Sequence, residues 1–327
     1  MRIPSRMFSI DTERTYFYFR LATGTLSVSD GDIVHSEPVD DFPDFQIALS
    51  HLEYTRIRAL IKAHSLTHMY LQHLDPDKMT LVSGTYEIVV EICGGIREWD
   101  VTLPGLRRLR DDAKPFTLVN ALKEIKPYIS KDSSRTLLQG VKVADGFIYA
   151  TDGIKLIRCP VDADYSLYLT ADGVKEILNM DRALILEHED LFFISNFKTT
   201  VIAHKDDDRI MEFPPVESLI KMFDDDTEHP IKSTIRKSFL DCRGSEDSML
   251  TYTINEDVHT LTWGDVTRRY KTKTSSVLTL KADMSLLPKD HISRIVTTRV
   301  HLGDKDQPRF VLFQTAENRT IVLACWC

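Results

Sequence analysis

The sequence predicts an α+β protein in which one unit, built of antiparallel sheets with helices segregated to one side, occurs three times. Three observations predict it. Pairs of alternating strands around a short acidic or glycine turn recur at residues 16–39, 137–161 and 249–274. Two β-rich runs about a polar turn follow each of them, at 78–92, 190–205 and 309–326. The copies are spaced by roughly 110 to 120 residues, the mark of an internally repeated chain.

The elements can be justified in order. Residues 1–15 are short and interrupted by Pro4, so no full helix is expected ahead of the first strand. Between the two β units of the first copy lies a segment of helical period, 53–66. Ile57, Leu60 and Ile61 form one face and Arg56, Arg58 and Lys62 supply the other. In the second copy a helix is expected at 116–129, where Lys123 and Lys126 stand three apart on one face. Another is expected at 171–180, capped by Thr170, with Val174, Ile177 and Leu178 as its apolar stripe. The third copy offers a weaker helix at 233–242 and a short or irregular one at 281–292, broken by Pro288. Turn and charge residues cluster at 103–115, with Pro104, Gly105 and Pro115, and at 223–230, ending at Pro230. These linkers divide the chain into domains 1–110, 111–228 and 229–327.

Length and composition fit this division. A chain of 327 residues suits two or three cores, and 43% hydrophobic with 28% charged residues marks a folded globular protein. No apolar run is long enough to span a bilayer and no signal-peptide core opens the chain, so a cytoplasmic protein is expected, without membrane contact. Five cysteines at irregular spacing, Cys93, Cys159, Cys242, Cys325 and Cys327, read as reduced thiols. The 41 basic and 49 acidic residues give a net charge of −8, which argues against a protein gripping nucleic acid over its whole surface. One basic face remains compatible with that sum.

Catalytic signatures are missing from the sequence. It has no Walker loop, no Gly-x-Gly-x-x-Gly, no His-Glu-x-x-His and no Gly-x-Ser-x-Gly. His64, His68 and His73 could bring two imidazoles to one helical face, but no carboxylate or cysteine follows at ligand spacing. The Cys325-x-Cys327 pair lacks a second half-site. The acidic runs 206–208 and 224–226 read as solvated loop charges. No enzyme activity, cofactor or metal is expected.

The middle copy carries a specific pattern. Leu138, Gln139 and Gly140 lead into a strand, Ala150-Thr151-Asp152-Gly153 forms a turn, and Lys155 and Leu156 follow. A glycine-valine pair sits in the helical segment 169–180, and the copy closes on Phe213-Pro214. This pattern, in a chain of three repeats, resembles the bacterial DNA polymerase III beta sliding clamp family. By motif the resemblance covers about 114–220; by order of elements it covers about 20–327.

The resemblance implies a ring closed by head-to-tail pairing, a homodimer with six repeats, whose helices line a hole around double-stranded DNA and whose sheets face outward. Such a ring needs phosphate contacts and no base readout. The expected DNA-facing residues are Arg56, Arg58 and Lys62, then Lys123, Lys126 and Lys131, then Arg236, Lys237 and Arg243. The resemblance further implies an apolar pocket for short peptides of a DNA polymerase and a clamp loader, formed by Leu138, Thr151, Gly153, Leu156, Pro214, Leu219, Ile321 and Leu323. The sequence departs from the family at Ile154, where histidine is common, at Ser218, where a basic residue is usual, and in the closing residues Ala324 to Cys327. Divergence of this kind suits a phage-encoded member. Two other readings stay open: a clamp-fold protein that recruits partners without encircling DNA, and a Mg²⁺-dependent nuclease using the carboxylates of Asp206 and Asp224.

Overall fold

A computed structural model describes residues 1–10, 15–22, 24–39, 43–93, 112–205, 207–221, 227–230, 241–242, 249–255, 258–271, 278–283, 292–297, 310–315 and 320–324. The chain forms two compact units, Met1–Val119 with Asp172–Asp207, and Asn120–Ala171 with Asp208–Cys327.

In chain order the first copy supplies β1 (Arg2–Pro4), β2 (Tyr16–Ala22), β3 (Thr25–Ser29), β4 (Ile33–Pro38), β5 (Phe45–Ser50), α1 (His51–Ala63), β6 (His68–Leu74), β7 (Lys78–Ser83) and β8 (Tyr86–Glu91). The second supplies β9 (Lys114–Pro115), α2 (Val119–Ile125), β10 (Gly140–Ala144), β11 (Phe147–Thr151), β12 (Lys155–Pro160), β13 (Leu167–Thr170), α3 (Ala171–Leu178), β14 (Leu184–His188), β15 (Leu191–Ser195), β16 (Thr199–His204), α4 (Asp208–Glu212) and α5 (Val216–Lys221). The third supplies β17 (Thr227–Pro230), β18 (Met249–Asn255), β19 (Val258–Trp263), β20 (Val266–Lys271), β21 (Leu278–Asp283), β22 (Ile292–Thr297), β23 (Phe310–Thr315) and β24 (Thr320–Ala324).

Each unit holds one four-stranded and one eight-stranded antiparallel sheet. In the first unit these run β1-β6-β7-β8 and β5-β2-β3-β4-β16-β15-β14-β9. In the second they run β20-β19-β18-β21 and β13-β10-β11-β12-β24-β23-β22-β17. The eight-stranded sheets are two four-stranded sheets joined edge to edge. One copy's meander ends on β4 or β12, and that strand pairs with the last strand of the next copy's hairpin, β16 or β24. The joints are Ile33↔Val201 to His35↔Thr199, and Lys155↔Leu323 to Arg158↔Thr320. Among the described residues no strand pairs with the outer edges of β8 and β20, the strands that correspond to β16 and β12.

Local chemistry sets the element ends. Ser50 accepts a hydrogen bond from the Glu53 amide and starts α1 at His51, two residues ahead of the expected 53, and His64 caps it, short of the expected 66. The expected helix at 116–129 holds α-geometry only over Val119–Ile125. Pro127 lies in a 3-10 turn, Lys126–Tyr128, that ends it. The Asp145-Gly146 turn has φ of 53° and 75°, the left-handed pair that a two-residue hairpin requires. In the third copy residues 281–283 belong to β21, not to a helix, 284–291 lie outside the described residues, and Ile292 opens β22. Asp241 and Cys242, the described end of the segment 233–242, are helical.

The N-terminus departs from a helical start, as its length and Pro4 predict. Arg2–Pro4 pairs with β6, and a 3-10 turn, Ser5–Phe8, buries Met7 and Phe8. Tyr54 anchors this segment. Its ring stacks on Phe17 at 3.6 Å between centroids, and its hydroxyl accepts from the Ile10 amide at 3.1 Å and donates to the Met7 carbonyl at 3.4 Å. A buried tyrosine thus joins helix, strand and N-terminus with its polar end satisfied.

A candidate apolar binding pocket

The second unit contains a cavity of about 230 Å³ lined by Leu138, Thr151, Gly153, Ile154, Lys155, Leu156, Pro214, Pro215, Val216, Leu219 and Val322. Its floor is the joint between β12 and β24, where Leu156 lies opposite Val322. One wall is the turn from Thr151 to Lys155, and the other is the Pro214-Pro215 step into α5.

Hydrogen bonds fix the turn almost completely. The Thr151 hydroxyl donates to the Lys155 carbonyl at 2.8 Å and accepts from the Gly153 amide at 3.1 Å. Asp152 Oδ1 accepts from the amides of Ile154 and Lys155, both at 2.9 Å. Arg135 donates from Nη1 to the Asp152 carbonyl at 2.9 Å. Gly153 has φ of +89°, so its backbone needs glycine, and a Cβ there would stand 2.5 Å from Arg135 Nη1 and push that guanidinium away. The Lys155 ammonium lies 5.3 Å from the Tyr128 ring centroid and 3.8 Å from Asp152, leaving its stem to line the pocket. Gly140 is needed for close approach. A Cβ would sit 2.3 Å from the Tyr168 ring, whose hydroxyl donates to the Leu137 carbonyl beside Leu138 at 3.2 Å.

A polar lock holds the α5 wall. Glu217 accepts from the Tyr149 hydroxyl at 2.9 Å and from Arg158 Nη1 at 3.0 and 3.1 Å. Arg158 also donates to Thr320 Oγ1 at 3.2 Å and lies over the Phe147 ring at 4.6 Å. The Tyr149 hydroxyl is pushed far above its ordinary value, first by burial and then by Glu217, so it stays a donor to carboxylate throughout the neutral range.

Over its whole length the chain is similar to solved sliding clamps. The DNA polymerase III subunit beta of Pseudomonas aeruginosa superimposes with a TM-score of 0.62 at 11% identity, covering 100% of both chains. The Helicobacter pylori beta clamp bound to a DNA ligase peptide gives 0.62 at 13%, again over 100% of both. The Bartonella birtlesii clamp bound to griselimycin gives 0.60 at 16%, with 100% of each chain covered. The fold is that of a DNA sliding clamp. No protein-family model and no curated protein matches the sequence.

On this clamp fold, six of the eight residues expected at the pocket line one cavity: Leu138, Thr151, Gly153, Leu156, Pro214 and Leu219. Ile321 does not. It is fully buried on the other face of β24, and Val322 takes the place at the pocket. Side chains alternate along a strand, so the pairing of Leu156 with Val322 puts Ile321 on the opposite face. The Leu323 side chain lies outside the described ones. Ile154, 47% exposed at the rim, Lys155, Pro215 and Val216 were not expected; Val216 was legible as the first apolar residue after a double proline.

The expected DNA-facing cations fall in both units. Arg56 is exposed but bonded through Nη1 to both carboxylate oxygens of Glu53, at 2.7 and 2.9 Å. Arg58 and Lys62, four apart on α1, share a face, and Arg56 lies off it. Lys123, Lys126 and Lys131 are all exposed, the first on α2 and the others in and beyond the 3-10 turn. Arg236, Lys237 and Arg243 lie outside the described residues.

The histidines do not share a helical face. α1 ends at Ala63, so His64 is its cap, stacked on Tyr86 at 4.1 Å, while His68 and His73 lie on β6. No group of three or more His, Cys, Asp or Glu side chains among the described residues could hold a metal ion. Asp206 and residues 224–226 lie outside them, as do Cys325 and Cys327. Among the described residues Cys93, Cys159 and Cys242 form no disulfide. No helix among the described residues is long and apolar enough to cross a membrane.

Proposed function

We propose that the protein is a DNA sliding clamp, a non-enzymatic processivity factor that encircles duplex DNA and tethers a DNA polymerase. The observation that carries the reading is the pair of open sheet edges. Wherever the chain can, it joins the last meander strand of one copy to the last hairpin strand of the next. β20 and β8 are the same two kinds of strand without a partner among the described residues. Pairing β20 of one chain with β8 of another continues the rule, and a head-to-tail contact of this kind either closes or grows into a filament. Closure of two chains, each of three domains divided near 110 and 228, gives a six-domain ring. The full-length likeness to sliding clamps supports that closure.

The half-buried Arg58 and the exposed Lys62, Lys123, Lys126 and Lys131 are the phosphate contacts of this reading, and Arg56, Arg236, Lys237 and Arg243 complete the set. The pocket is the docking point for short apolar peptides of polymerase and clamp loader. The peptide bound by the Helicobacter clamp supports this use, and a few apolar anchors in such a pocket supply most of the affinity. A protein that recruits partners without encircling DNA is the second reading, favoured by the strand and 3-10 turn that stand at the N-terminus instead of a helix.

Tracking labelled protein on single stretched duplexes separates the two. The clamp reading predicts diffusion without sequence-specific pauses, long residence when both DNA ends are blocked, and escape through a free end. Residence that is equally short on blocked and free-ended DNA supports recruitment without encirclement.

A further inference from the structure

We propose that the solvent face of the four-stranded sheet in the third copy binds the phosphate backbone of nucleic acid, at a place separate from the helices. Leu250 and Tyr252 on β18, and His259, Leu261 and Trp263 on β19, are buried. Strand alternation therefore sets Thr251, Thr253, Thr260 and Thr262 on the other face, where each is half-buried. The pairs Thr262↔Thr267, Thr260↔Arg269 and Val258↔Lys271 add three residues of β20 to that face, all exposed. The pairs Thr251↔Thr262 and Thr253↔Thr260 align the hydroxyls in rows across the strands. Thr262 and Thr267 share a hydroxyl bond at 3.2 Å, which leaves one hydrogen of the pair to donate outward.

Charge and composition point to a polyanion. β18, β19 and β20 contain no Asp or Glu, in a chain that has 49 of them. Asp265 stands in the β19–β20 turn and Asp283 at the end of β21, opposite Met249; Glu256 and Asp257 lie outside the described residues. Arg268, on the buried side, is held by Asp241, whereas Arg269 and Lys271 have no ion-pair partner among the described residues. The second copy shows the same kind of meander under a protein cover. There Tyr149, Leu156 and Tyr168 offer apolar surface to Phe213, Val216 and Ile220 of the α4–α5 segment. In the third copy the corresponding strands present hydroxyls, with Met249 and Val258 as the apolar side chains of the face, and Tyr252, Trp263 and Tyr270 fall on the other side. A protein segment draws most of its affinity from apolar anchors, and a base needs a ring to stack on; this face is poor in the first and lacks the second. Arginine, lysine and threonine form a contact set for phosphate oxygens, one that reads no sequence.

The test is fluorescence anisotropy of a labelled mixed-sequence oligonucleotide, single-stranded or duplex, titrated with the full chain over a salt series. The same titrations in a chain carrying Lys62→Gln, Lys123→Gln and Lys126→Gln read the sheet apart from the helices, so the outcome does not depend on a closed ring. Arg269→Gln with Lys271→Gln should flatten the slope of log affinity on log salt by about 1.4 for a single strand or about 1.8 for duplex, as two lost phosphate contacts require. The form whose slope changes is the ligand. Thr251→Val, Thr253→Val and Thr260→Val together should weaken binding severalfold and leave the slope alone, since a hydroxyl carries no charge. Circular dichroism and light scattering on each variant check that fold and solution mass are those of the unaltered chain. Slopes and affinities equal to those of the unaltered chain in both variants overturn the proposal. Displacement of the oligonucleotide by polyglutamate of equal charge, with the threonine variant indifferent, also overturns it and marks the face as one for acidic protein.

Discussion

Gly140 and Gly153 are single-atom constraints on the pocket. Gly140→Ala drives a methyl into the Tyr168 ring and the Leu169 carbonyl, at 2.3 and 2.5 Å, and should cost about 1–3 kcal/mol of stability, measured by denaturant unfolding. Gly153→Ala adds the strain of a left-handed backbone, about 1–2 kcal/mol, and displaces Arg135, so peptide affinity should fall more than global stability does. Buried hydroxyls set the alkaline limit. Burial raises Tyr252 well above the ordinary 10.0, and Tyr165 is pushed up to about 12 by burial and then by Asp164. A raised folded-state value favours the neutral phenol. Its contribution is therefore whole below pH 10.0 and is lost above it as the unfolded chain ionises first. Denaturant midpoints should fall with rising pH in that window, less steeply in Tyr252→Phe, and equal slopes contradict this. At this scale the sequence was legible where a backbone requirement names its residue, as at Gly153. It was misleading at Ile321, where the alternation along β24 needed the pairing with β12 to fix its phase.

At the level of elements, α5 packs on its sheet through the buried Val216 and Ile220 and is tied to it by one carboxylate, Glu217. Glu217→Ala should cost about 1 kcal/mol, given the partial exposure of the pair, while loosening the wall that carries Pro214, Val216 and Leu219. Leu219→Asp puts a charge on that wall and should reduce peptide binding at least tenfold in calorimetry, with the fold retained by circular dichroism. Strands and hairpins were readable because their signals are local: a period of two and a turn residue such as the Asp145-Gly146 pair. Helix ends were not, because they depend on the Ser50 cap and on Pro127, which override an apolar stripe that continues past both. The joints β4–β16 and β12–β24 connect strands far apart in sequence, and no local pattern announces them.

For the whole molecule, the sequence displayed the threefold repeat but not which edges the repeat leaves open. Net charge likewise says little, since −8 is the sum of 41 basic and 49 acidic residues and carries no information on how they are distributed. If Arg58, Lys62, Lys123 and Lys126 meet phosphates, replacing all four by Gln should flatten the salt dependence of DNA residence and leave peptide binding unchanged. The central claim is topological. Val89→Cys with Thr267→Cys, bridged by a bifunctional thiol reagent, closes the two edges covalently in the presence of nicked circular plasmid. The ring predicts that the closed dimer stays with the circle through high-salt washing and is released when the plasmid is linearised; loss from circle and linear DNA alike would contradict encirclement.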